Sequence, residues 1–154
     1  KMFDNPEAKK LKRIAGRSYG ISAYIAGTEE EKVWNMIYKN TCLPDRNEHV
    51  FQTRYANQKT ARLEIYENNE DAYRAELEDS ALIGELVLEI NGDLPVGTPI
   101  YTTLTLDENG MLHAKGYEKT GQTEIETYIQ TEALLEEGDL IAEQEQIATM
   151  LQVV

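Results

Sequence analysis

The chain has 154 residues, a formal net charge of −13 and a single cysteine, Cys42. That length suits one domain able to bury a core without staples, and a lone cysteine excludes an intramolecular disulfide framework and fits a reducing compartment. The acidic balance argues against nucleic acid as a partner, no run approaches the ~20 apolar residues of a membrane span, and no apolar signal core opens the chain, so a soluble cytoplasmic protein is expected, with no membrane partner.

Residues 1–17 run against the overall charge. They hold six basic and two acidic side chains, leaving the remainder net −17. They show no apolar period and are read as a linker or disordered arm, with contact to a partner as the alternative. From Ser18 the pattern becomes two-fold. "SYGISAY", "KVWNMIY", "EHVFQTRY" and "TARLEIYEN" alternate apolar and polar residues, as half-buried strands do. Residues 67–80, acidic and irregular, read as a loop. "ALIGELVLEI", "TPIYTTLTL", "GMLHAKGYE" and "QTEIETYIQ" follow, separated at Asn91-Gly92, Asn109-Gly110 and Thr120-Gly121. Asn-Gly favours tight turns, so "LDENGMLHA" predicts a hairpin.

About eight strands at short spacing predict a mainly β fold, a two-sheet antiparallel β-sandwich over residues 18–131. The period then changes. In "GDLIAEQEQIATMLQVV", Leu140, Ile147 and Leu151 recur at helical spacing behind a potential Asp139 N-cap, so residues 132–154 are expected to include a C-terminal helix. One connection stands out: "KNTCLP" (Lys39–Pro44) joins two strand-like runs through a segment of about ten residues that contains proline and no glycine.

No catalytic constellation can be assembled. His49 and His113 sit in strands without the neighbours a triad requires, Cys42 reads as a buried or half-buried structural thiol, and nothing has zinc-ligand spacing. "DENG" (Asp107–Gly110) fails the calcium-loop pattern and reads as a turn. Glu85, Glu89, Glu124 and Glu126 alternate along strands as a solvated sheet face does. The chain is therefore not expected to be an enzyme in itself, and no metal is expected.

Six blocks, in order, resemble the peptide-binding domain of the 70-kilodalton heat-shock chaperones, the DnaK type: "SYGI" (Ser18–Ile21); "KNTCLP" with "VFQT" (Val50–Thr53); "NQKTARLEIYE" (Asn57–Glu67); "LIGELVLEINGDLPVGTP" (Leu82–Pro99); "LDENGMLHA" (Leu106–Ala114); and "TEALLEEGDLIAEQEQIATM" (Thr131–Met150). The resemblance implies a molecular chaperone fragment whose β-sandwich grips extended, apolar segments of unfolded proteins. It implies that residues 132–154 begin a truncated helical lid, and that the chain is a piece of a longer protein. ATP, a J-domain co-chaperone and a nucleotide-exchange factor would belong to the full-length protein. Matched residue by residue, Ile21, Phe51, Ala61, Leu63 and Ile100 would line a central apolar pocket. Tyr24 and Arg54 would arch over the peptide. Ser22, Ala23, Gln52 and Gln58 would face its main chain, and the Lys39–Pro44 loop would lie beside the groove, bracing the strands that carry Phe51.

The match departs in four places. Glu7–Arg17 lacks the family's acidic, leucine-rich linker, so the match does not extend to coupling with an upstream ATPase domain. Ala61 replaces a larger β-branched residue, which predicts a roomier pocket. Tyr24 and Arg54 are bulkier than the family's arch residues and are expected to make a cation–π contact. The acidic 67–80 loop lacks the family's Gln-Gly-Glu-Arg and is expected to favour peptides with basic flanks. The alternative function is an interaction module with one fixed protein partner, or self-association through the C-terminal helix. A sandwich-fold hydrolase is disfavoured by the missing constellation.

Overall fold

The computed structural model describes residues 12–132 and 134–136. Among these residues eleven strands run in the order β1 (Arg13–Ala15), β2 (Ser18–Tyr24), β3 (Glu31–Ile37), β4 (Asp45–Gln52), β5 (Thr60–Asn68), β6 (Arg74–Ala75), β7 (Ala81–Glu89), β8 (Pro99–Leu106), β9 (Met111–Glu118), β10 (Thr123–Gln130) and β11 (Leu134–Glu136). They form a five-stranded sheet of order β6-β3-β2-β5-β7, a four-stranded sheet of order β10-β9-β8-β4, and a two-stranded ribbon of β1 and β11. Every pairing is antiparallel. This is the two-sheet antiparallel fold that the alternation predicts.

Alternation also fixes the core. On β8 and β9 every second residue is buried, so Ile100, Leu104, Leu106, Leu112 and Ala114 turn inward to meet Ile21, Ile37, Ile65, Leu86 and Leu88 of the other sheet. Two hairpins close as their turn residues dictate. Gly110 takes a positive φ of 82°, while Asp107 Oδ1 accepts the N–H groups of Asn109 and Met111 at 2.8 and 2.9 Å. In the β9–β10 turn the buried carboxylate of Glu118 accepts the N–H groups of Thr120 and Gly121 at 2.7 and 2.6 Å.

Three features differ from expectation. Arg13–Ala15, assigned to the arm of residues 1–17, is a strand with Ile14 and Ala15 buried; two apolar residues are too few to show a period, yet enough to seal an edge. Leu134–Glu136, placed at the start of the lid helix, is a strand paired with β1. The helix expected from Asp139 onward lies outside the described residues. Within the expected 67–80 loop, Arg74–Ala75 adds a two-residue strand to β3 and Leu77–Asp79 forms a 3₁₀ turn.

The Lys39–Pro44 loop has a different task from the one the resemblance implies. It lies at the Asp45 end of β4, six residues from Phe51, or about 20 Å along the strand. It braces β1: Ala15 N–H donates to Thr41 O at 2.9 Å, Asn40 N–H to Ala15 O at 2.8 Å and Leu43 N–H to Arg13 O at 2.9 Å. Ile14 and Cys42 form an antiparallel bridge, and the Leu43–Pro44 peptide is cis. Cys42 itself is exposed, against the expectation of a buried or half-buried thiol; its backbone forms the bridge to Ile14 while its side chain faces outward.

Candidate functional site

The five-stranded sheet is not continuous along its length. β2 pairs with β5 only from Ser18↔Asn68 to Ile21↔Ile65. Beyond that point β2 stays with β3 out to Tyr24↔Glu31, and β5 stays with β7 out to Thr60↔Glu89. The sheet therefore forks, leaving one backbone edge on Ser22–Tyr24 and another on Thr60–Glu64 without a strand between them. Ser22 Oγ and Glu64 Oε1, 3.5 Å apart, bridge the vertex. A strand edge without a partner presents unpaired N–H and C=O groups, which bind water or another chain.

The fork opens a groove of about 980 Å³. Its floor is Ala61, Leu63 and Ile100; its walls include Phe51 and Gln52 from the end of β4, itself an edge strand. Two loops build the rim. Between β2 and β3, Ile25 N–H donates to Glu30 O at 2.9 Å, and Thr28 Oγ bonds Ile25 O at 2.8 Å and accepts Glu30 N–H at 3.1 Å. Gly27, with φ 77°, makes the turn possible. Between β4 and β5, Thr53 is latched to the β7–β8 connection: Thr53 N–H donates to Thr98 O at 3.0 Å, Gly97 N–H to Thr53 O at 3.1 Å, and Thr98 N–H to Thr53 Oγ at 3.0 Å.

Across these loops Arg54 meets Tyr24. The guanidinium carbon lies 3.7 Å from the centre of the Tyr24 ring and 5.2 Å from that of Tyr55, with Nη2 3.3 Å from the Glu29 carboxylate. The contact expected from sequence between Tyr24 and Arg54 is formed.

Ten of the eleven residues selected from sequence border this one groove: Ser22, Ala23, Tyr24, Phe51, Gln52, Arg54, Gln58, Ala61, Leu63 and Ile100. The exception is Ile21. It is paired on both sides at the vertex, 1% exposed and part of the core beneath the groove, because the sheet is still continuous there. Gln58 also ties its own loop together. Its Oε1 accepts the N–H groups of Arg54 and Tyr55 at 3.0 and 3.2 Å and its Nε2 donates to Thr60 O at 2.7 Å, so the amide holds the β4–β5 loop in shape. The Ala23 carbonyl accepts from Trp34 Nε1 at 3.2 Å, which uses one of its two lone pairs.

Sequence reasoning missed Trp34, His49, Val50, Tyr55 and Val96, all of which line the groove. Val50 alternates away from Phe51 yet reaches the groove because β4 is an edge strand. Tyr55 and Val96 sit on loops, where no period marks them. The acidic 67–80 segment contributes no lining residue, contrary to its expected place near the groove; it runs past β3, where Asn35 N–H donates to Tyr73 O, and the start of β2, where Ser18 Oγ donates to Glu70 O. The groove's own carboxylates are Glu29, Glu31 and Glu64.

Among the described residues, no three His, Cys, Asp or Glu side chains gather as a metal site would require, and no helix is long and apolar enough to cross a membrane. His49 packs against Phe51 with ring centres 4.6 Å apart, and His113 stacks on Tyr128 at 4.4 Å with Nε2 3.6 Å from Glu126.

The sequence pattern of the family described as Hsp70 protein matches residues 10–152. The chain is 30% identical over 107 residues to a heat shock 70 kDa protein of Emericella nidulans, and 31% identical over 106 residues to the chaperone protein DnaK of Akkermansia muciniphila. A DnaK of Anaplasma marginale is 28% identical over 106 residues. Each alignment covers 68% of this chain and 16% of the relative. A forked β-sandwich with a groove across its open end is thus the setting of a chaperone-family chain: this protein belongs to the Hsp70 family. It spans about a sixth of the length of these relatives.

Proposed function

We propose that this chain is a peptide-binding domain that holds extended, apolar segments of unfolded proteins in the groove at the fork. The observation that carries the proposal is the fork itself, which sets two backbone edges with no strand between them beside an apolar floor. An extended peptide offers the complement, alternate side chains and free main-chain groups. Burying one large apolar side chain contributes about 1.5–3 kcal/mol, whereas micromolar affinity needs about 8 kcal/mol. Main-chain hydrogen bonds along the groove supply much of the rest, less the ordering costs. Moderate, reversible, sequence-tolerant binding follows. In this reading Glu31 and Glu64, rather than Glu29, which already pairs with Arg54, favour basic flanks on the peptide, and the Tyr24–Arg54 arch lies across its backbone.

The reading assigns the 154 residues no chemistry of their own. ATP hydrolysis, a J-domain co-chaperone and a nucleotide-exchange factor enter it only as partners of a longer protein, working in the cytoplasm.

The test is fluorescence anisotropy with a labelled seven-residue peptide of apolar centre and basic flanks, on the wild type and on Tyr24→Ser and Val50→Asp. Both positions are exposed, so the variants fold; charges at Ile21 or Leu63 would instead disrupt the core. Saturable micromolar binding, weakened in both variants, is expected. A folded wild type that binds no peptide, but retains one protein from its native setting, would put the fixed-partner module ahead.

A further inference from the structure

We infer that the centre of this groove takes an aromatic side chain in preference to a branched aliphatic one, an inference that rests on the peptide-groove reading above. Two observations bear on the floor. Ala61 contributes a single methyl, 6% exposed. Leu63 does not stand up into the groove: it sinks between the sheets because Gly116 of β9 has no side chain. A Cβ on Gly116 would lie 2.6 Å from Leu63 Cδ1, closer than two carbon atoms can pack, so the leucine occupies the space the glycine leaves. Leu63 is accordingly 4% exposed. At both positions the side chain that might have filled the groove is small or withdrawn.

The walls have a complementary character. Tyr24, Trp34, Phe51 and Tyr55 border the groove, and the Arg54 guanidinium caps the Tyr24 ring. Aromatic rings gain from edge-to-face or offset contact with other rings and from a guanidinium, beyond the area they bury. A leucine or isoleucine in the same place gains area alone, and would leave contact distance to the withdrawn floor. Width below and rings and a cation beside it favour a flat, polarisable side chain, that of phenylalanine or tyrosine.

The experiment is a panel of seven-residue peptides with identical basic flanks and a central Leu, Ile, Phe or Tyr, measured by anisotropy and by the fluorescence of Trp34, the chain's only tryptophan. The central Phe or Tyr peptide is expected to bind roughly three- to tenfold more tightly than the Leu peptide, and Ala61→Val, which raises the floor, to narrow or reverse that ratio. Gly116→Ala, which drives Leu63 toward the groove, is expected to act in the same direction and replaces Ala61→Val if that variant does not fold. A wild type that binds Leu as tightly as Phe, or more so, overturns the preference while leaving the peptide groove intact. A folded wild type that binds none of the four overturns the groove reading and the preference together.

Discussion

Arg54 lies with its guanidinium carbon 3.7 Å from the centre of the Tyr24 ring, joining the β4–β5 loop to the end of β2 on the opposite lip of the groove. Both side chains are about one-third exposed, a setting in which a cation–π contact is worth about 0.5–1 kcal/mol. Urea unfolding of Tyr24→Ala, Arg54→Ala and the double variant should give a coupling energy of that size. Glu29→Gln, which removes the mostly exposed ion pair to Arg54, should cost less than about 0.5 kcal/mol. A coupling indistinguishable from zero would mean that the two lips are held by their own loops alone.

Among the described glycines, Gly20 is the one least able to accept a side chain. It sits where the β2–β3 register shifts between Tyr19 and Gly20, and a Cβ there would collide with the carbonyl of Trp34. The obstacle is backbone, so no side-chain rotation relieves it. Gly20→Ala should destabilise the domain by about 3 kcal/mol, seen as a lowered urea midpoint. Since the bulge lies next to the vertex of the fork, Trp34 fluorescence should shift even in the folded variant.

Most of the fold is legible in the sequence because period-two alternation is a local signal. The alternation marks β2, β5, β7, β8, β9 and β10 to within a residue or two, as each buries one face. β4 is the instructive case: six of its eight residues are exposed at an edge and none is buried, so the apolar alternation marks it only from Glu48 and not from its start at Asp45. β1, β6 and β11 are too short to show a period at all and exist only through their partners. The site residues emerged from ordered motifs, and ten of them converge. The fork, by contrast, is a matter of which strands cease to pair, and nothing in Ser22–Tyr24 or Thr60–Glu64 taken alone announces it.

Tyr19 makes stability sensitive to alkaline pH. Burial, reinforced by the Glu67 carboxylate that accepts its hydroxyl at 2.9 Å, pushes the phenol well above its ordinary value. A proton held more tightly in the folded state stabilises fully below the unfolded pKa of about 10 and is lost as pH rises toward the folded value. Lys32, raised chiefly by its hydrogen bond to Glu76, titrates in the same direction. The urea midpoint should therefore fall above about pH 10, and Tyr19→Phe should flatten that fall without abolishing it. An equally steep decline in Tyr19→Phe would assign the alkaline sensitivity elsewhere.

The Lys39–Pro44 loop should prove structural and remote from binding. Its backbone holds β1 through Ala15, Asn40 and Leu43, and Ile14, 6% exposed, is sealed beneath it opposite Cys42. Ile14→Ser replaces buried apolar area with a hydroxyl, at a cost of about 2–4 kcal/mol. The exchange of the Ala15, Asn40 and Leu43 amides with solvent should quicken most, as they lie in the unit that loosens. Peptide affinity of the folded fraction should stay within about twofold, since sites this far apart without shared partners act independently. A large loss of affinity in folded Ile14→Ser would instead show that the β1 brace and the groove, at opposite ends of β4, are energetically coupled.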